Sequence, residues 1–212
     1  RSGEPLHNAI VWQCRRTADF CDSLRHAGHE AFIRQKSGLV LDPYFSASKF
    51  RWLLHHSGAS ARALAAGHVA AGTIDSFLIW QLTAGAAHVT DISNASRTSL
   101  MDIERGQWDP QLLQLFEIPP AILPVIGPSS GVLGHTRGVA GLPDGIPIAG
   151  VAGDQQAALF GQACFAPGDA KCTFGTGSFI VMNTGQRIVH SGSGLLTTVA
   201  WQLGEKAKPV YA

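Results

Sequence analysis

Ile146-Pro-Ile-Ala-Gly-Val-Ala-Gly-Asp-Gln-Gln-Ala-Ala-Leu-Phe-Gly-Gln162 changes character halfway along. Ile146 to Val151 is a short apolar run that reads as a strand. Gly153-Asp154 then turns the chain, and residues 155–162 read as a helix. A carboxylate at such a strand-to-helix turn stands where α/β sheets carry their catalytic groups. Backbone N–H groups at the helix start favour its ionised form, which can accept a proton from an alcohol. The same Asp154 also satisfies the description of a simple N-cap. Both readings are open on these residues alone.

Working outward, Pro167-Gly168 breaks the helix, and Lys171 to Asn183 reads as two strands around Gly175-Thr176-Gly177. Glycines on each side of a hydroxyl residue let backbone approach a phosphate, although an ordinary hairpin turn has the same composition. Leu195 to Gln202 reads as a further strand, and Pro209 to Ala212 begins one more. Upstream, Arg1 to Pro5 reads as a turn, His7 to Gln13 as a strand, and Gly38 to Pro43 as an extended segment. Helices are expected over 17–27, 46–56 and 73–82, the last with Ile74, Phe77 and Leu78 inward, and after Asp109-Pro110. Helices thus dominate the first part and a β-meander the last, which makes the class α/β with a boundary near Ala163 to Gly168. Trp12, Tyr44 and Phe179 are aromatics of the kind that wall a small polyol or fill a core.

Composition narrows the function. The chain has 212 residues, 45% of them hydrophobic and 15% charged, with a formal net charge of +1. That balance supports a sizeable core, and its scattered Lys and Arg form no stripe for nucleic acid or an anionic membrane. No apolar run approaches the ~20 residues of a membrane span. Cys14, Cys21, Cys164 and Cys172 form no CxxC pair, so they read as reduced thiols of a cytoplasmic protein. Cys14, Cys21, His26 and His29 match no common zinc-finger spacing. The phosphate-loop pattern GxxxxGK[ST] and the protein-kinase pattern HRDxxxxN are both absent.

Five ordered segments together resemble the FGGY sugar-kinase family, in its glycerol-kinase branch. They are Asn8-Ala-Ile-Val-Trp-Gln-Cys-Arg-Arg-Thr17; Leu41-Asp-Pro-Tyr-Phe-Ser46 with Lys49 and Trp52; Gly72-Thr-Ile-Asp75 through Asn94-Ala-Ser-Arg-Thr98; Ala152-Gly-Asp-Gln-Gln-Ala-Ala-Leu-Phe-Gly161; and Thr173-Phe-Gly-Thr-Gly177. The resemblance implies an α/β, actin-like (ribonuclease H-like) ATPase fold, incomplete at both ends. Residues 1–165 would be the remainder of an N-terminal substrate-binding domain and 166–212 the start of an ATP-binding domain. It implies ATP-dependent phosphorylation of glycerol to glycerol 3-phosphate, with Mg2+, in the cytoplasm. Asp154 would be the catalytic base. Gln155 and Tyr44 would hold glycerol hydroxyls, Trp12 and Phe179 would line its carbon side, and Gly175, Thr176 and Gly177 would meet the ATP phosphates. A kinase for another polyol or sugar, or a non-catalytic ligand-binding remnant, are the alternatives. Homo-oligomers formed through N-terminal domains are a further family expectation.

The departures also carry expectations. The family's Asp-Gln-Gly-Thr-Thr-like hairpin and its Arg-Glu pair are missing, the adenine pocket would lie beyond Ala212, and His55 replaces a more acidic or amide residue. The Gly-rich loop that binds an allosteric sugar phosphate in some bacterial members is not recognisable around Thr136 to Gly145. The chain alone is therefore expected to be inactive. Its strand edge and apolar end are expected to promote aggregation.

Overall fold

The computed structural model describes residues 2–58 and 61–212, so Arg1 of the expected first turn lies outside the described residues. Eight helices are found among the described residues: α1 (Ala18–His26), α2 (Glu30–Ser37), α3 (Ser46–His56), α4 (Ala61–Ala65), α5 (Ile74–Leu82), α6 (Ile92–Ala95), α7 (Pro110–Leu115) and α8 (Asp154–Gly161). Ten short strands accompany them: β1 (Val89–Asp91), β2 (Met101–Asp102), β3 (Gln107–Trp108), β4 (Val125–Gly127), β5 (Ser130–His135), β6 (Pro147–Gly150), β7 (Ala170–Phe174), β8 (Ser178–Met182), β9 (Val199–Trp201) and β10 (Val210–Tyr211).

Helix ends follow their local chemistry. Asp109 caps α7 by accepting N–H bonds from Gln111 at 2.8 Å and Leu112 at 2.9 Å, with Pro110 in the first turn. Asp91 caps α6 while wholly buried, accepting from the N–H groups of Ser93 and Asn94 and from the Ser129 hydroxyl at 2.7 Å. Gly38 ends α2 at φ +76°, and a Cβ there would stand 2.3 Å from the Thr197 carbonyl. That close passage lets the Thr197 N–H donate to the Gly38 carbonyl at 2.9 Å.

Several expectations fail. His7 to Gln13 is a loop, because no neighbouring strand pairs with it among the described residues; the Cys14 N–H closes a turn on the Val11 carbonyl instead. The 30–37 helix escapes detection because its mean hydropathy is low and only Ile33 and Ser37 are buried. On α5 the inward face is reversed: Ile74, Phe77 and Leu78 are exposed, whereas Asp75, Ser76 and Ile79 are buried. The buried Asp75 carboxylate accepts from the Thr90 hydroxyl at 2.6 Å, a polar tie from α5 to β1 that outweighs hydropathy in orienting the helix. The last part is no meander. Among the described residues the strands form five two-stranded pairs, with β1 and β4 parallel and β2–β3, β5–β6, β7–β8 and β9–β10 antiparallel.

The core has three parts. Ile33, Leu100, Leu112 and Phe116 centre the largest, between α1, α2, α3 and α7. Ile92, Met101, Ile103, Val199 and Tyr211 form the second, and Leu159, Cys164, Ala200 and Trp201 the third, beneath α8. Strand β9 joins the last two, with Val199 in one and Ala200 and Trp201 in the other. The C-terminal apolar segment is satisfied: Val210 pairs with Trp201, and the buried Tyr211 donates its hydroxyl to the Ile103 carbonyl at 3.2 Å. The most exposed large apolar side chains are instead Phe174 and Ile180, on the outer face of the β7–β8 hairpin.

Candidate active site

Asp154 is the first residue of α8 and not its cap. The cap position belongs to Gly153, whose N–H donates to the Ser93 hydroxyl at 2.9 Å and where a Cβ would come within 2.5 Å of the Gln156 side-chain oxygen. The capping alternative therefore fails. The Asp154 carboxylate is exposed and, among the described residues, accepts only from its neighbour, from Gln155 N at 2.8 Å and Gln155 Nε2 at 3.2 Å. The completely buried Leu159 anchors the helix that presents it.

The three aromatics come from distant segments and meet. The Trp12 ring centroid lies 5.4 Å from that of Tyr44 and 6.3 Å from that of Phe179, the latter edge-on. Lys49 on α3 holds the first two in place. Its ammonium donates to the Tyr44 carbonyl at 2.8 Å and reaches the Trp12 carbonyl at 3.4 Å. Burial pulls the Lys49 pKa below the ordinary lysine range. Tyr44 sits in a turn closed by its own N–H on Asp42 Oδ1 at 2.8 Å. Phe179 approaches because Gly177 has no Cβ, which would stand 2.7 Å from its ring.

Arg97, just past α6, has its guanidinium carbon 6.0 Å from the Tyr44 ring centroid and 5.2 Å from that of Phe45. Burial lowers its pKa, opposed by Tyr44 and by the field of Asp154. On the other side stands Lys171 of β7, only 2% exposed. Its ammonium donates to the Gln155 side-chain oxygen and, at 2.7 Å, to the Thr173 hydroxyl. Burial again lowers its pKa, and Asp154 pulls it back up. The inner positions of β7, Lys171 and Thr173, are thus polar, and its outer position Phe174 is apolar, the reverse of a core strand.

Trp12, Tyr44 and Phe179 form one wall; Arg97 lies over the Tyr44 ring and in the electrostatic field of Asp154, and Lys171 bonds Gln155 and Thr173, the ladder partner of Phe179. Thr176 stands apart. It is exposed at the tip of the β7–β8 hairpin, where the Gly175 N–H donates to the Gly177 carbonyl at 3.1 Å, and among the described residues no side-chain hydrogen bond joins it to the others. Sequence reading missed Lys49 and Lys171 as site residues. A lysine at the inward position of a strand beside Gly-Thr-Gly was the available signal for Lys171. The unusual His55 joins Arg51 in binding Glu117, at 3.1 Å and 3.0 Å, in a surface contact.

This mixed α/β arrangement belongs to a recognisable class. Residues 1–161 match the N-terminal domain of the FGGY family of carbohydrate kinases, and the chain belongs to that family. Its fold is the actin-like ATPase fold of that domain. Within the family it is similar to glycerol kinases. It is 59% identical over 203 residues to the glycerol kinase of Bdellovibrio bacteriovorus, covering 96% of this chain and 41% of that protein. It is 57% identical to the glycerol kinase of Myxococcus xanthus over 212 residues, all of this chain and 42% of that protein. The crystal structure of Plasmodium falciparum glycerol kinase with ADP superposes with a TM-score of 0.93 at 38% identity, over 99% of this chain and 42% of that one. The chain thus spans about two-fifths of the length of the curated relatives it matches.

Proposed function

We propose that this chain supplies the glycerol-binding part of an ATP-dependent glycerol kinase. The observation that carries the reading is the meeting of Trp12, Tyr44 and Phe179 in one aromatic wall, which Arg97, over the Tyr44 ring and in the field of Asp154, relates to the Asp154–Gln155 pair. The rings would cover the carbon edge of a three-carbon polyol, and Tyr44 and Gln155 would hold its hydroxyls. Asp154 would take the proton of the terminal hydroxyl as its oxygen bonds to the γ-phosphorus of ATP, and the bond from that phosphorus to the bridging oxygen would break to release ADP. Nearly all the gain then comes from placement. Gly175 and Thr176, both exposed, and the half-buried Gly177 are poor in side chain and would let the hairpin backbone approach the phosphates.

Mg2+ would bring charge neutralisation to those phosphates. Asp154 is an exposed carboxylate at the start of α8, and no group of three or more metal-ligating side chains occurs among the described residues. That donor set fits a Mg2+ held mainly by water and substrate phosphates with one carboxylate. The four cysteines are all free thiols, which supports a reducing, cytoplasmic setting. No helix among the described residues is long and apolar enough to cross a membrane. We place the domain change at 165–166, supported by the end of the family match at residue 161 and the Pro167-Gly168 break.

The test is a chimera in which this chain replaces the matching segment of the Myxococcus xanthus glycerol kinase. Turnover of glycerol with ATP, well above that of pentoses, is expected. A folded chimera that phosphorylates a pentose in preference to glycerol would overturn the assignment.

A further inference from the structure

We propose that Lys171 is a positioning residue that fixes which face of the Gln155 carboxamide is turned to the substrate. The proposal rests on the reading that Gln155 holds a glycerol hydroxyl. A glutamine amide carries a donor end and an acceptor end of nearly the same shape, so an unsupported Gln155 could present either one. A lysine ammonium has three donors and no acceptor. Because Lys171 donates to the Gln155 side-chain oxygen, that oxygen is committed away from the ligand. The amide nitrogen must then face the opposite side, where the Asp154 carboxylate accepts one of its protons at 3.2 Å. Its second N–H is left for a substrate oxygen. Lys171 and Asp154 therefore clamp the amide from both ends in one orientation, and Gln155 meets glycerol as a donor.

The surroundings of Lys171 argue for this use. Its 2% exposure is rare for a lysine, and among the described residues no carboxylate lies within ion-pair distance of it. Its two acceptors, Gln155 and the Thr173 hydroxyl, are both neutral. A buried cation so placed contributes little to packing, whereas a donor-only group is what the amide clamp needs. The Thr173 hydroxyl locks the ammonium from the strand side. The clamp thus ties the start of α8 to the strand that leads into Gly175-Thr176-Gly177.

In the glycerol-kinase chimera, Lys171→Met should raise the KM for glycerol about 10-fold, the worth of one ordered hydrogen bond, with the KM for ATP changed by less than about 2-fold. Lys171→Arg keeps the donor-only character and should stay within about 3-fold of the parent glycerol KM. Lys171→Met combined with Gln155→Ala should be no worse for glycerol than Gln155→Ala alone. Equal rises in both KM values, additive effects in the double variant, or loss of cooperative unfolding in both Lys171 variants would make Lys171 a purely structural residue and overturn the proposal. A parent chimera that does not turn over glycerol would instead remove the functional reading beneath it.

Discussion

At the scale of single side chains, Phe179 and Trp12 are proposed to set how wide a ligand the wall accepts. Phe179→Ala in the glycerol-kinase chimera should raise the ratio of pentitol to glycerol turnover at least about 5-fold, as removal of bulk from a selective pocket does. Unchanged relative rates would show that the ring does not gate the site. A second residue-level prediction concerns Lys36, which bonds Asp102 at 2.9 Å and lies 3.3 Å from Asp109. Hydrogen bonds to Asp102 and then Asp109 raise the Lys36 pKa. Burial works against the Asp102 carboxylate, but the Lys36 ammonium and the backbone N–H groups of Arg105 and Glu104 outweigh it and leave its pKa lowered. The lowered carboxylate contributes stability above its unfolded pKa of about 3.9, lost as pH falls through the folded value. The raised lysine contributes stability below its unfolded pKa of about 10.4, lost as pH rises through the folded value. Lys36→Met should therefore lower Tm most near pH 7, with the deficit shrinking toward pH 3 in thermal melts. A deficit independent of pH would point to lost packing alone.

Helix α8 shows at the scale of an element how the core holds the residues proposed for the chemistry. Leu159 sits beneath it with no exposure, so Leu159→Ala should cost about 3 kcal/mol in denaturant unfolding. Because that cavity lies under the helix carrying Asp154 and Gln155, glycerol affinity should weaken as well. Asp91→Ala should cost about 2 kcal/mol or more, since the cap of α6 and the Ser129 hydroxyl both lose a buried acceptor. The elements were unevenly legible in the sequence. The 46–56 and 154–161 helices and the β7–β8 hairpin follow from apolar spacing and Gly or Pro punctuation. The orientation of α5 does not, because Asp75 reaches a partner on β1, and a tertiary hydrogen bond leaves no local trace. The Trp12 segment read as a strand for the same reason: its hydropathy is strand-like, but its partners are rings contributed by residues 44 and 179.

For the whole molecule, the motifs that carry the family resemblance were readable, and the match over residues 1–161 contains four of the five, all but Thr173 to Gly177. The supports behind them were not. Lys49 and Lys171 each join segments remote in sequence, and a lysine in one dimension looks like solvated charge. The interlocking of β9 with both α6 and α8 likewise appears only in three dimensions, and it places residues 199–211 in the same body of core as residues 92–103. The most direct test of the account is the rate of glycerol phosphorylation by the chimera before and after Asp154→Asn, an isosteric change at an exposed site that leaves the fold intact. Loss of about 10³-fold in kcat with glycerol binding retained is predicted for a general base. A variant that keeps the parent kcat would contradict the role given to Asp154 and, with it, the reading of the site.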